Sequence, residues 1–506
     1  MSFNSWQFLV FLPIVIIGYY LLPHKVRWIW LLIASYYFYM SWNPWLVFLI
    51  AGTTLVSYLS AILIEKTPKK GLKRFYLILT LIICLGCLIF FKYFNFLSQS
   101  VIDFLNLFKL NLPSFALDLI LPVGISFYTF QTLSYTIDVY RGTIPAEKHL
   151  GYYALFVSYF PQLVAGPIER PESLIPQLKE KHALESQNLL VGSRILLSGF
   201  FRKVVLADFC GVFVNNIYSN LATSHSLSVY LATALFLLEI YFDFSGYSEI
   251  ALGAARMMGV KLSVNFDKPF SSQSYSEFFR RWHITLNTWF RDYLYIPLGG
   301  NRKGKARKIL NLWIVFLLCG LWHGANWTYV LWGAYAAFFI SLETLLRKPF
   351  LAFCDRHKID LDNSFVRLFR STVMFLLYVF GGILFRSKDM TMVGLAYTRL
   401  FTAFSAHPLQ VAYQELGFTT LTLAELGLGL LALVLLYHFC YPQGNPELVN
   451  TLPKPVIAAP SVPEKEESGV FAQKATSFVY LVLVIALCWL VLLASQDSSA
   501  FAYFQF

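Results

Sequence analysis

The stretch that decides the fold is ILNLWIVFLLCGLWHGANW, residues 309–327, which follows the basic string NRKGKARK at 301–308. Asn311 alone interrupts the apolar run before it reaches Trp322, His323 and Gly324. An apolar run anchored by a cluster of lysine and arginine reads as a segment solvated by lipid, with its basic end held at the cytoplasmic surface. The same pattern recurs on both sides of it. Strong apolar runs cover 6–22, 28–40, a third stretch ending at Ile64, 75–91, 229–258, 329–345, 369–385, 421–440 and 478–494. Weaker stretches cover 119–140 and 151–168, both broken by proline, and 189–201, which contains Arg194. At about twenty residues per span this predicts roughly ten to twelve spans and an all-α polytopic membrane protein.

Composition agrees. Of 506 residues, 57% are hydrophobic, 18% aromatic and 13% charged, against about 25% charged in an average soluble domain. That excludes an ordinary soluble enzyme. The net charge is +12, and +7 of it lies between Lys261 and Lys308, where ten basic residues face three acids. Nucleic acid is the wrong partner for a chain embedded in lipid, so this charge fits a cytoplasmic face meeting anionic lipid or a phosphorylated substrate. Lys25, Arg27 and the Lys66 to Arg74 cluster are cytoplasmic by the positive-inside rule, which starts the N-terminus outside. No basic n-region or small-residue cleavage site precedes the first run, so it reads as a retained span. Cys84 and Cys87 form a CxxC within an apolar run without a second ligand pair, and no metal or redox site is expected there.

Residues 441–477 change character, with six prolines and the cluster Glu464-Lys465-Glu466-Glu467. They read as a cytoplasmic linker between a membrane core at 1–440 and a last span at 478–495. The tail at 496–506 is then extracytoplasmic. It ends Phe501-Ala502-Tyr503-Phe504-Gln505-Phe506, an aromatic composition unusual for a solvated end. Either this is an interfacial anchor, or it turns back into the protein and presents the Tyr503 hydroxyl, whose aryl ester would be activated toward onward transfer.

Ionisable residues inside apolar runs are candidate functional groups. His323 is one, with Gly320 and Gly324 thinning the chain around it; a neutral imidazole there serves as a general base or as a hydrogen-bonded structural group. His283 lies in an amphipathic stretch with Arg280 and Arg281 that reads as an interfacial helix. Arg302 and Lys303 fit a cytoplasmic anchor or a receiver of donor phosphates. Asp243 and Glu249, with Glu239 one helical turn before Asp243, form either a proton path or a clamp on arginines such as Arg256. Pro122-Val123-Gly124 and Gly166-Pro167 mark either an internal funnel or simple kinks, since irregular backbone at membrane depth must be buried in protein or line a wet cavity.

The strings at 121–131 (LPVGISFYTFQ), 162–168 (QLVAGPI) and 243–249 (DFSGYSE), with Arg281-Trp282-His283 and Leu321-Trp322-His323-Gly324, occur here in one order. In this they resemble the bacterial membrane-bound O-acyltransferases, most nearly the alginate O-acetylation branch, with the D-alanylation branch of teichoic acid modification as a near relative. The resemblance runs over nearly all of residues 1–440. It implies a ring of helices, with re-entrant or interfacial helices, around a central tunnel where a cytoplasmic and an outer funnel meet. It also implies His323 as the catalytic histidine and His283 as a second histidine near the cytoplasmic entry. Tyr503 matches the tyrosine of the aromatic C-terminal motif that carries the acyl group in these systems. Fusion of that motif to the chain favours polysaccharide O-acetylation over D-alanyl transfer. No permanently bound cofactor is expected. Acetyl-CoA is the expected donor, docking its phosphates among Arg280, Arg281, Arg302 and Lys303. Expected partners are an extracytoplasmic SGNH-hydrolase-like O-acetyltransferase and an exopolysaccharide or cell-wall polymer as final acceptor, at the bacterial cytoplasmic membrane. A transporter or flippase predicts paired discontinuous helices in two halves, a repeat the sequence does not display.

Overall fold

A computed structural model describes residues 1–110 and 112–440; the linker at 441–477, the last span at 478–495 and the tail at 496–506 with Tyr503 lie outside the described residues. The described chain folds into nineteen α-helices. The first seven are α1 (Trp6–Leu21), α2 (His24–Met40), α3 (Leu46–Lys66), α4 (Lys70–Leu88), α5 (Phe94–Asn106), α6 (Ile125–Arg141) and α7 (Leu150–Ser158). There follow α8 (Pro171–Lys179), α9 (Ser186–Phe200), α10 (Asp208–Ser219), α11 (Ser226–Met257), α12 (Tyr275–Arg281) and α13 (Ile284–Phe290). The last six are α14 (Gly304–His323), α15 (Trp327–Arg356), α16 (Ser364–Arg386), α17 (Met390–Thr402), α18 (Pro408–Leu416) and α19 (Thr420–Cys440). Three π-helical turns interrupt them, at Ile89–Tyr93, Phe201–Ala207 and Arg291–Tyr295.

Among the described residues six helical segments are long and apolar enough to cross a membrane: α3, α4 with α5, α11, α14, α15 and α16. The shorter α1 is strongly apolar as well. Other stretches expected as spans fold differently. The run at 119–140 becomes α6, buried along nearly its whole length, and the run at 151–168 becomes α7 followed by an irregular segment that stays buried from Tyr159 to Glu169. Its backbone is therefore packed in protein, the condition under which irregular chain is tolerated at depth. Gly124 opens α6 at φ +72°, and a Cβ there would lie 2.6 Å from the Leu163 carbonyl oxygen, so the 121–131 and 162–168 strings meet in the core.

One end of the bundle is basic. There Arg27 donates to the His182 carbonyl at 2.6 Å, Arg170 pairs with Asp292 at 3.0 Å and Arg141 reaches the Asp292 carbonyl. The body is held by the seam between α9 and α11. A Cβ on Gly199 would lie 2.6 Å from the Gly246 carbonyl oxygen, and one on Gly192 would lie 2.7 Å from that of Gly253. Beside this seam the π turn after α9 carries Arg202 and Lys203 inward. Arg202 pairs with Glu249 at 3.2 Å, and Lys203 pairs with Asp243 at 2.7 Å and Asp208 at 3.1 Å. The α11 carboxylates thus clamp cations from the neighbouring helix, and each buried charge is offset by its partner, as a low-dielectric interior demands. Gly199→Ala forces a methyl group into the facing carbonyl; overpacking of this kind costs about 1–3 kcal/mol, and the expected result is a lower melting midpoint of the detergent-solubilised protein, checked by a thermal denaturation scan.

Candidate active site

His323 is the last residue of α14, and the chain turns extended at Gly324 (φ −162°, ψ 151°). A helix end leaves its final carbonyls without intrahelical partners. Here they are met from the π turn Ile89–Tyr93, which sets two consecutive side chains against one target. Tyr93 Oη donates to the Leu321 carbonyl at 2.8 Å, and Lys92 Nζ donates to the Trp322 carbonyl at 2.6 Å and the His323 carbonyl at 3.4 Å. The return into α15 is tight because Gly320 and Gly333 carry no side chain; a Cβ on either would overlap a carbonyl of the facing helix.

The His323 imidazole stands among aromatic rings, 5.1 Å from Trp322, 5.2 Å from Trp332 and 5.2 Å from Phe385 by centroids. One space has it in its wall, and the wall of a second begins two residues on, at Ala325. The first is a cavity of about 60 Å³, lined by His323 with Phe236, Phe279, Trp282, Trp332 and Phe385. The second is a vestibule of about 500 Å³ at the end of the bundle away from the basic loops, lined by Lys92, Ala325, Asn326, Tyr329, Arg386 and Lys388. The first is almost wholly aromatic and aliphatic, and the second carries three cations and no carboxylate. A ring nitrogen in the wall of an apolar cavity, with a polar space close by, is placed where it could serve as a general base.

His283 lies between α12 and α13 with its backbone in the left-handed region (φ 44°, ψ 55°) and its side chain 1% exposed. The turn is fixed by Asn265, whose carbonyl accepts from Ile284 N–H at 3.0 Å and whose Oδ1 accepts from Thr285 Oγ1 at 2.7 Å. The ring packs 4.7 Å from Phe244 and 5.7 Å from Trp322. Neither ring nitrogen has a hydrogen-bond partner among the described residues. The Trp322 indole therefore touches both imidazoles, which brings the two histidines expected from sequence to one centre.

The four expected anion receivers are not equivalent. Arg281 is held by Glu277 at 3.0 Å and Asp267 at 3.3 Å. Arg280 is exposed on α12, the helix whose Phe278 and Phe279 line the aromatic cavity, while Arg302 and Lys303 are exposed on the turn before α14. Sequence reasoning missed Lys92. The run at 75–91 was closed one residue too early; α4, the π turn and α5 run on from Lys70 to Asn106, and a lysine inside that continuous helix is the signal.

Helices fit for lipid around a buried histidine in a cavity wall describe a membrane-embedded protein with a candidate catalytic base. Residues 147–385 match the membrane-bound O-acyltransferase family, and the chain belongs to that family and is an acyltransferase. A probable alginate O-acetylase of Pseudomonas putida is 36% identical over 100% of both chains. A peptidoglycan O-acetyltransferase of Helicobacter pylori is 36% identical over 65% of this chain and 68% of its own length. A teichoic acid D-alanyltransferase of Bacillus subtilis is 26% identical over 53% of this chain and 69% of its own length.

A left-handed backbone costs a β-branched residue about 1–2 kcal/mol and is better tolerated by asparagine. His283→Val is accordingly expected to melt at a lower temperature than His283→Asn, and equal midpoints in a thermal scan would remove the strain argument.

Proposed function

We propose that this acyltransferase moves an acetyl group from acetyl-CoA on the cytoplasmic side of the bacterial cytoplasmic membrane to the outside, for O-acetylation of an extracytoplasmic polysaccharide. The observation that carries the reading is His323 in the wall of the aromatic cavity, with Ala325 and Asn326, just after it in the chain, lining the polar vestibule. The basic end of the bundle is taken as cytoplasmic by the positive-inside rule, which makes the vestibule the outer chamber. Both termini then lie outside. A ring of helices around a through-going tunnel is part of the same proposal.

In this mechanism the donor phosphates rest on the exposed charges of Arg280, Arg302 and Lys303, with Arg281 fixing the end of α12 beside them. The thioester enters the aromatic cavity. His323 takes the phenolic proton of Tyr503 as the phenol oxygen attacks the thioester carbon. The new C–O bond forms, the C–S bond breaks, and the imidazolium returns its proton to the leaving thiolate. His283, packed against the same Trp322 indole, supports the geometry of the centre. The aryl ester of Tyr503 is the form handed to an extracytoplasmic SGNH-hydrolase-like transferase, because a phenolate leaves more readily than a sugar alkoxide. The names of the P. putida and H. pylori relatives support acetyl over D-alanyl, and alginate-like or peptidoglycan polymer as final acceptor.

His323→Ala is expected to abolish O-acetylation of the exported polymer at unchanged membrane level; wild-type acetyl content would sink the assignment. Tyr503→Phe should be equally inactive and equally stable. In the wild-type protein, mass spectrometry of the C-terminal peptide is expected to find an added acetyl mass on Tyr503, and its persistent absence during turnover would leave direct transfer to the final acceptor as the mechanism.

A further inference from the structure

We infer that Lys92 is a positioning residue for acyl transfer, its ammonium fixing the end of the helix that presents His323; the inference rests on the reading that His323 does the chemistry. Three successive carbonyls close α14, those of Leu321, Trp322 and His323, and all three are met from the single π turn at Ile89–Tyr93. Lys92 takes the last two, one of them the carbonyl of the histidine itself. Gly320 and Gly324 bring the backbone close to α15 without side chains of their own, and the ring packs on Trp322, Trp332 and Phe385. The link from Gly324 N–H back to the Gly320 carbonyl is long, at 3.4 Å. The cap therefore fixes the backbone from which the imidazole projects into that box.

A hydroxyl such as that of Tyr93 satisfies a carbonyl at far lower cost than a lysine within an apolar helix. The charge is what Lys92 adds. It stands at the negative end of the α14 dipole, 5.8 Å from the Trp322 ring centroid, and no carboxylate among the described residues pairs with it. Its further contact is Ser126 Oγ at 3.5 Å. Lys92 also lines the vestibule rather than the aromatic cavity. The ammonium thus acts on the helix end that aims the base and leaves the donor-side chamber untouched, so its loss falls on turnover and not on donor binding.

The test uses the full-length protein in lipid nanodiscs with acetyl-CoA as donor and release of free thiol as readout. Lys92→Gln, which keeps a donor and removes the charge, is expected to lower kcat about 10- to 100-fold, the range set by a misplacement of about 1 Å, with KM for acetyl-CoA within about twofold of wild type. Lys92→Arg, which keeps charge and donors, is expected to recover most of the lost kcat. Wild-type kcat in Lys92→Gln overturns the inference, as does an equal rise of KM in both variants, which marks a donor-binding role. His323→Ala run beside them separates the two readings. If it keeps wild-type turnover, the assignment of the base fails; if it is inactive while Lys92→Gln is fully active, the positioning role fails.

Discussion

A helix that stops at membrane depth has no water to take up its last carbonyls, and the centre of this protein is organised around that constraint. α14 ends on the histidine that lines the aromatic cavity, so the groups that close the helix also fix the backbone from which that side chain projects. The closing groups come from a π turn, whose extra residue per turn lets Lys92 and Tyr93 reach neighbouring carbonyls instead of pointing apart. The tight return into α15 and the aromatic box of Trp322, Trp332 and Phe385 follow from the same geometry. Polar chemistry is thereby installed in an apolar wall without leaving backbone groups stranded.

Charge elsewhere obeys the same economy. Inside the bundle Arg202, Lys203, Asp243 and Glu249 face one another across the α9–α11 region. At the basic end, by contrast, Arg280, Arg302 and Lys303 stand exposed, while Arg281 is tied to two acids and shapes the end of α12. The excess positive charge is therefore divided between a structural share, matched by carboxylates, and a free share facing solution. Only the free share can meet an anionic ligand without first breaking an ion pair.

Much of this was legible in the sequence. The apolar runs at 229–258, 309–321, 329–345 and 369–385 fold as α11, α14, α15 and α16, because long uninterrupted periodicity leaves no competing structure. Proline-broken runs were harder: hydropathy alone cannot separate a kinked span from the short α7 and the buried irregular segment after it, since both are equally apolar. His323 stands out as a polar residue in apolar surroundings and His283 only through the resemblance of its segment, since its own stretch reads as an interfacial helix; the fold buries it and brings both to a shared indole. What spacing could not convey is contact between distant elements. Lys92 matters through carbonyls some 230 positions away in the chain, and the cations held by Asp243 and Glu249 are Arg202 and Lys203, on a turn whose π geometry has no sequence signature. Tyr503 lies outside the described residues, and its role rests on the aromatic pattern of the tail.

The reciprocal glycines of α9 and α11 carry a mechanical consequence. Gly192 and Gly199 are seven residues apart, as are Gly246 and Gly253, and each faces its opposite number at carbonyl distance. Two such points, a heptad apart, forbid sliding: a displacement of one helical turn would drive Leu196 or Ile250 into the opposing backbone. The pair behaves as a keyed shaft, free to flex as one piece but not to change register. Whatever breathing the chambers need for a substrate to pass must then be taken up by elements outside this shaft.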